Sequence, residues 1–317
     1  MQQFSNRVAV ITGAGSGFGR EFALTAAELG MRLVLADIQQ QPLNETKALV
    51  EAKGASAIAA VCDVSKAADV ESLAALTMST YGGVNLLFNN AGVGSGGLVW
   101  ENTVKDWEWV LGVNVWGVIH GVRVFTPLML EQAEADPSYE GHIVNTASMA
   151  GLLSPQLMGA YNVSKHAVVA LSETLFHDLG AVQASAVQDS AEGHGRQIDC
   201  SVLCPAFVPT GISQSHRARP VDLINTESPK ASMKLAQSMT HKAVSSGKMT
   251  AADVSRITFE AIRAQRFYII THPKIMATVQ MRLDDIAQQT NPRDPFGMKE
   301  SVRPDLATLR QSGDEVV

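Results

Sequence analysis

Four glycines fall within the seven residues Gly13-Ala14-Gly15-Ser16-Gly17-Phe18-Gly19, between the apolar run Val8–Thr12 and a helix-period stretch at residues 22–29. No other feature constrains the chain as much. Glycine opens turns closed to other residues and lets a ligand approach the backbone, while the N-terminus of the next helix offers free N–H groups to negative charge. Strand, bare turn and helix in that order suit a pyrophosphate. Gly13, Ser16, Gly17, Phe18 and Gly19 are therefore expected to contact a dinucleotide. The general G-x-G-x-x-G spacing is not matched, because the sixth position is Phe18 from Gly13 and Arg20 from Gly15; the spacing is T-G-x-x-x-G-x-G from Thr12. Alone, such a loop could equally be a tight structural turn.

The same alternation continues along the chain. Short β-branched runs at 32–36, 57–61, 84–88, 142–146 and 198–203 alternate with helix-period stretches at 43–53, 70–81, 107–131 and 161–179. This pattern predicts βαβ units in a doubly wound parallel α/β sheet, a Rossmann fold, with a further strand at 267–271. Two stretches break the rhythm. Residues 181–196, rich in Ala, Ser, Gln and Gly, read as an exposed loop, and residues 211–248, where Met233, Leu235 and Met239 keep helical spacing, read as a mobile lid over a substrate. The expected organisation is one Rossmann-type domain over 1–272 carrying that lid, then a helix at 273–289 and a charged, proline-containing tail to 317.

Net charge is −6 with no block of like charge, so nucleic acid and anionic membrane are poor partners. No eighteen apolar residues run uninterrupted, and an apolar strand begins within ten residues of Met1, so neither a membrane span nor a signal peptide is expected and the cytoplasm is the expected location. Cys62, Cys200 and Cys204 form no C-x-x-C pair and lie in strand-like runs, which makes them reduced core thiols. The eight histidines show no metal-ligand spacing, and no metal is expected.

Asp37 ends the second strand about twenty residues beyond the glycine loop, where an adenosine ribose would lie. Its carboxylate would accept from both ribose hydroxyls and repel a 2′-phosphate, and neither Ser16 nor Ile38 offers a basic group, so NAD is favoured over NADP. An aspartate there can also simply cap the following turn. Tyr161 and Lys165 are four apart in a helix-compatible run, so they share one face. A phenol can exchange a proton with a substrate oxygen if its pKa, about 10 unperturbed, is brought down, and a nearby ammonium does that. Ser148, at a strand end thirteen residues earlier, could orient the same oxygen.

These motifs, with Asp63-Val64, Asn89-Asn90-Ala91-Gly92 and Asn114, stand in the order found in the short-chain dehydrogenase/reductase family, which the chain resembles over about residues 5–272. The resemblance implies a catalytic tetrad of Asn114, Ser148, Tyr161 and Lys165. It implies that Asp63 and Val64 meet the adenine, that Asn90 lines the cofactor cleft, and that Asn89 ties neighbouring strands. It further implies that Lys165 also holds the nicotinamide ribose, and that Asn114 sits at a helix kink where its amide holds a water. Pro205-Ala206-Phe207-Val208-Pro209-Thr210 resembles the family's P-G-x-V-x-T turn, in which Val208 and Thr210 hold the carboxamide. Ala206 replaces the usual glycine there. A homodimer or homotetramer is the expected assembly.

The expected activity is hydride transfer between NAD and a secondary alcohol or ketone. Met149, Leu152, Leu153 and Met158 lie between Ser148 and Tyr161, and Phe207, Met233 and Met239 follow, which favours bulky apolar or aromatic flanks. The lid and the run at 267–273 are similar to those of bacterial enzymes that oxidise benzylic alcohols of aryl ethers. The competing readings are a non-catalytic NAD-binding scaffold or sensor, a dehydratase or epimerase, and a reductase of small hydroxy acids that would use Arg217, Arg219 or Lys230 as its anchor.

Overall fold

The computed structural model describes residues 1–188 and 197–297. Strands β1 (Val8–Thr12), β2 (Arg32–Asp37), β3 (Ala57–Val61), β4 (Leu86–Asn89), β5 (Gly141–Thr146), β6 (Ile198–Cys204) and β7 (Tyr268–Ile270) form one parallel sheet. Their order is β3-β2-β1-β4-β5-β6-β7. The chain therefore reverses its winding between β3 and β4, and the ends of β1 and β4 diverge to open a crevice.

The connecting helices are α1 (Gly17–Glu28), α2 (Gln40–Ala52), α3 (Ala67–Tyr81), α4 (Val104–Leu111), α5 (Gly117–Ala135), α6 (Gly159–Gln188), α7 (Ala231–Ser245), α8 (Ala251–Arg263) and α9 (Met276–Ala287). They cover both sheet faces, which is why the strands read as near-continuous apolar runs rather than alternating ones. Ala9, Ile11, Leu33 and Leu35 face α1 and α8, and Phe22 stacks on Phe88 with ring centroids 4.4 Å apart. Val8, Val10, Val34 and Ala36 face the other way, against Phe125 and Met129 of α5 and Leu175 of α6. Each such fully buried ring contributes about 2–3 kcal/mol of transfer free energy.

Several sequence expectations change. The stretch at 107–131 is three pieces: α4, a π-helical turn at Gly112–Trp116, and α5. The π turn centres on Asn114 and is the expected kink. The continuous helical run Val104–Ala135 is long and apolar enough to cross a bilayer by composition, yet Trp109, Phe125 and Met129 pack it into the core beside the sheet. The loop expected at 181–196 is helical as far as Gln188, since Ala and Gln are good helix formers. Gln183 also ties that turn to β6, accepting from the N–H groups of Gln197 and Ile198 and donating to Ile198 O. Residues 189–196 lie outside the described residues, as does the tail from 298. The helix expected at 273–289 begins as a 3₁₀ turn, Pro273–Ile275, before α9. The lid is two 3₁₀ turns, Gly211–Ala218 and Val221–Leu223, followed by α7. Contrary to the expectation that little anchors it, the lid is bonded to the body at several points.

Candidate active site

The site starts where β1 and β4 part. Thr12 ends β1, and its hydroxyl accepts from the N–H of Asn90 (2.9 Å) and Ala91 (3.1 Å) while donating to Phe88 O (3.2 Å). Asn90 Nδ2 returns a bond to Thr12 O at 3.0 Å, so the two strand ends are fixed and Asn90 stands at the crevice wall. Asn89 Nδ2 donates to Asn145 Oδ1 at 2.8 Å, the expected tie between β4 and β5.

The glycine loop is a cradle that side chains would fill. Gly13 has φ +65°, and a Cβ there would lie 2.8 Å from Ala91 Cα. Gly13, Ser16, Gly17 and Phe18 line the cavity. Gly19 does not. A Cβ on Gly19 would fall 2.1 Å from Gly13 O, so this glycine permits α1 to pack behind the loop and is not among the residues facing a ligand. Asp37 Oδ2 accepts from Gly15 N at 2.8 Å and Oδ1 from Gln39 N at 2.9 Å. Asp37 thus does cap its own turn, as the simpler reading has it, and it also faces the crevice. Asp63 and Val64 line the same end of the cavity, with Asp63 Oδ1 accepting from Ser65 N and Oγ. Val208 and Thr210 line the other side. Ala206 has no positive φ, so replacing the family's glycine costs no backbone strain.

Ser148 follows β5, and Tyr161 and Lys165 project from the first turns of α6 into the same cavity, which has a volume of about 690 Å³. The Ser148 hydroxyl donates to Pro205 O at 3.4 Å and accepts from Ala150 N at 3.1 Å, and it lines the cavity together with the phenol of Tyr161. Lys165 Nζ lies 5.7 Å from the Tyr161 ring centroid and donates to Thr146 O at 2.9 Å. Burial lowers the Lys165 pKa to about 8. Burial also raises the Tyr161 pKa, with the Ser148 hydroxyl opposing it. The dry floor that holds the ammonium close thus disfavours the phenolate, and the expected lowering of the phenol pKa falls to the ammonium together with the positive nicotinamide of oxidised cofactor. Asn114 is fully buried and does not reach the cavity. Its Oδ1 accepts from Val93 N (2.8 Å), and its Nδ2 donates to Val93 O (3.0 Å) and Ser164 Oγ (3.0 Å), so the amide is also a clamp on the loop after β4.

Sequence reasoning missed one cluster. Asp106 closes a capping box with Thr103 at the start of α4 and pairs with Arg219 of the lid at 2.7 Å, the carboxylate buried and the guanidinium partly so. Arg219 in turn lies 4.9 Å from the centroid of the Trp109 ring, and Asn225 donates to Asp106 Oδ1 at 3.0 Å. The Thr103-x-x-Asp106 signature was legible as a cap. Its lid partner, 113 residues away, was not.

The family described as short chain dehydrogenase matches residues 7–220. This chain belongs to that family. A CLA biosynthesis dehydrogenase/reductase of Lactiplantibacillus plantarum is 32% identical over 299 residues, covering 92% of this chain and 97% of its own. A C alpha-dehydrogenase of Sphingobium sp. is 28% identical over 310 residues, covering 95% and 93%. The crystal structure of a short chain dehydrogenase/reductase from Burkholderia phymatum in complex with NAD has a TM-score of 0.87 and 53% identity, covering 93% of this chain and 99% of that one. Short chain dehydrogenases are oxidoreductases of this Rossmann type, and NAD is the cofactor that the glycine cradle and Asp37 fit.

Proposed function

We propose that this short chain dehydrogenase moves a hydride between NAD and the carbinol carbon of a secondary alcohol, or the matching ketone, whose flanks are bulky and largely apolar. One observation carries the reading. Ser148, Tyr161 and Lys165 share a single cavity of about 690 Å³ walled beyond them by Met149, Met158, Phe207, Met233, Ala236 and Val244, and its partly buried lid cation Arg219 is paired with Asp106. Apart from the catalytic Lys165, a small hydroxy acid would find no buried cation among the described lining residues that could anchor its carboxylate. The names of the two relatives, one acting in CLA biosynthesis and one at a Cα position, support the same substrate class.

In the oxidative direction Tyr161 takes the hydroxyl proton of the substrate as the carbinol becomes a carbonyl, and in reduction it returns that proton. Ser148, which lines the cavity beside the phenol, holds the same oxygen in line. Bound NAD supplies the carbon that takes the hydride and, when oxidised, a positive ring that favours the phenolate. Lys165 uses one N–H on Thr146 O and has two left for a ribose hydroxyl and for the charge of the phenolate. Asn114 is a positioning residue: it clamps Val93, so the loop after β4 keeps its place beside Lys165. The enzyme is proposed to be cytoplasmic and to assemble as a homodimer or homotetramer, with exposed Trp116 of the π turn and Val163 of α6 available for the subunit contact.

Specificity constants test the substrate class. A bulky aryl carbinol should exceed lactate and 3-hydroxybutyrate by at least roughly tenfold, and equal or reversed constants would overturn the apolar-pocket reading. In the same assay Tyr161→Phe should lose turnover by orders of magnitude while NADH binding is kept. A near-normal rate in that variant removes Tyr161 from the chemistry.

A further inference from the structure

The glycine loop has no cation of its own. Arg20 does not line the crevice, and its Nε and Nη2 are engaged elsewhere. Its Nε donates to Thr46 Oγ1 at 3.0 Å, and its Nη2 to Gly15 O at 2.7 Å, Pro42 O at 3.3 Å and Glu45 at 3.2 Å. A pyrophosphate in the cradle would meet backbone N–H groups and a helix N-terminus but no full positive charge.

We propose that Arg217, in the 3₁₀ turn Gly211–Ala218 of the lid, closes over the pyrophosphate of the dinucleotide and supplies that charge. Three placements converge on this residue. One end of the turn lies against the phosphate loop, since a Cβ on Gly17 would lie 3.3 Å from Thr210 Cβ. Further along, Ser215 is tied to the far wall, its Oγ accepting from Gly94 N at 3.0 Å. The turn therefore touches both walls of the crevice, and Arg217, two residues after Ser215, lines the same cavity. Its guanidinium folds back over Gly211, where a Cβ would come within 2.5 Å of Nη2, so it stays beside the Thr210 that touches the loop.

The charge is also free to act. Arg217 is exposed, lines the cavity, and has no hydrogen-bond or ion-pair partner among the described residues. Arg219, two residues on, is the contrast: it is partly buried and committed to Asp106 and Leu223 O. One lid arginine therefore holds the lid to the body, and the other is left for a ligand. An arginine fork suits phosphate oxygens in bidentate geometry, and a lysine replaces its charge but not its fork. Closure of the lid on the cofactor would then be coupled to cofactor charge, so that the substrate cavity is completed when the dinucleotide is in place.

This proposal rests on NAD occupying the crevice, and the test separates the two. The dissociation constants of NADH and of ADP-ribose are measured by fluorescence and calorimetry for wild type, Arg217→Met and Arg217→Lys. Failure of wild type to bind either ligand would remove the cofactor reading itself. With wild-type binding in place, Arg217→Met should weaken both ligands roughly tenfold, the worth of one charge-assisted hydrogen bond, and Arg217→Lys should recover part of it. The dependence of log Kd on log salt should also be shallower in Arg217→Met, because one ionic contact is gone. Unchanged binding of both ligands overturns the proposal, and so does a loss confined to NADH, which would move Arg217 to the nicotinamide end. Intact ligand binding with a raised KM for the alcohol would make Arg217 a substrate anchor instead.

Discussion

The glycine loop and the lid line the same cavity but are held in opposite ways. The loop is fixed by what cannot fit: Gly13 and Gly19 leave no space for a methyl group, and its ties run between residues of adjacent strands, as from Asn90 to Thr12. The lid is fixed by what it reaches. Ser215 accepts from Gly94 N, Ser232 accepts from Leu98 N and donates to Glu101, and Arg219 pairs with Asp106. A region built on excluded volume has one arrangement, whereas a region built on a few polar ties can part from the body by breaking them. The first suits a constant cofactor and the second a substrate that must enter and leave.

The comparison breaks most severely at Gly19. Gly19→Ala puts a methyl group on the carbonyl of Gly13 and 2.8 Å from Asn90 Nδ2, so the loop itself must move. The expected cost is about 3 kcal/mol, a fall of several degrees in Tm, together with loss of measurable NADH binding. Thermal unfolding and NADH fluorescence read both. A Gly19→Ala enzyme that melts and binds as wild type does would show that the loop is not held by steric exclusion.

That difference also explains what could be read in the sequence. The doubly wound parallel sheet, the glycine cradle, Asp37 at the end of its strand and the shared helix face of Tyr161 and Lys165 follow from short-range patterns, because glycine sterics and a four-residue helical spacing are local. The role of Gly19 was misread because a glycine that faces a ligand and one that faces its own backbone look alike in a motif. Asn114 was placed at the right kink, but the partners its amide clamps, Val93 and Ser164, come near only once the chain has folded. The lid ties join residues over a hundred positions apart, and no periodicity encodes them.

Asp106 tests the lid side. Asp106→Asn keeps the shape but leaves Arg219 as a partly buried, uncompensated charge and presents an amide to a capping site that needs an acceptor. A cost of roughly 2–3 kcal/mol follows, with a raised KM for the alcohol and an NADH dissociation constant within about twofold of wild type. Burial raises the Asp106 pKa, but the Thr103 and Arg219 contacts outweigh it and hold the carboxyl below its ordinary value. A depressed carboxylate pKa contributes stability that is present above the unfolded value, about 3.9, and is lost as pH falls through the folded one. The stability gap between wild type and Asp106→Asn should therefore be full at neutral pH and close on acidification below about pH 4. Equal loss of NADH and alcohol binding in this variant would mean that the lid is not a separable part.

The smallest expected effect sharpens the cofactor side, where Asp37 has two jobs. Its oxygens already accept from Gly15 N and Gln39 N, so the residue shapes the loop as well as facing the ribose. Each carboxylate oxygen has a second lone pair, which leaves room for the ribose hydroxyls. If shaping were all it did, Asp37→Ala would weaken NAD and NADP by the same factor, since both carry the same pyrophosphate into the same cradle. If it also reads the ribose, NAD loses a charge-assisted hydrogen bond while NADP loses a repulsion, and the ratio of their specificity constants should fall roughly tenfold. No basic group waits nearby to reverse the preference outright: Arg20 is committed to Thr46, Gly15, Pro42 and Glu45, and Arg7 precedes β1, at the sheet edge opposite the crevice. Asp37→Ala should therefore narrow the preference for NAD without inverting it, and a parallel decline of both cofactors would reduce Asp37 to a cap.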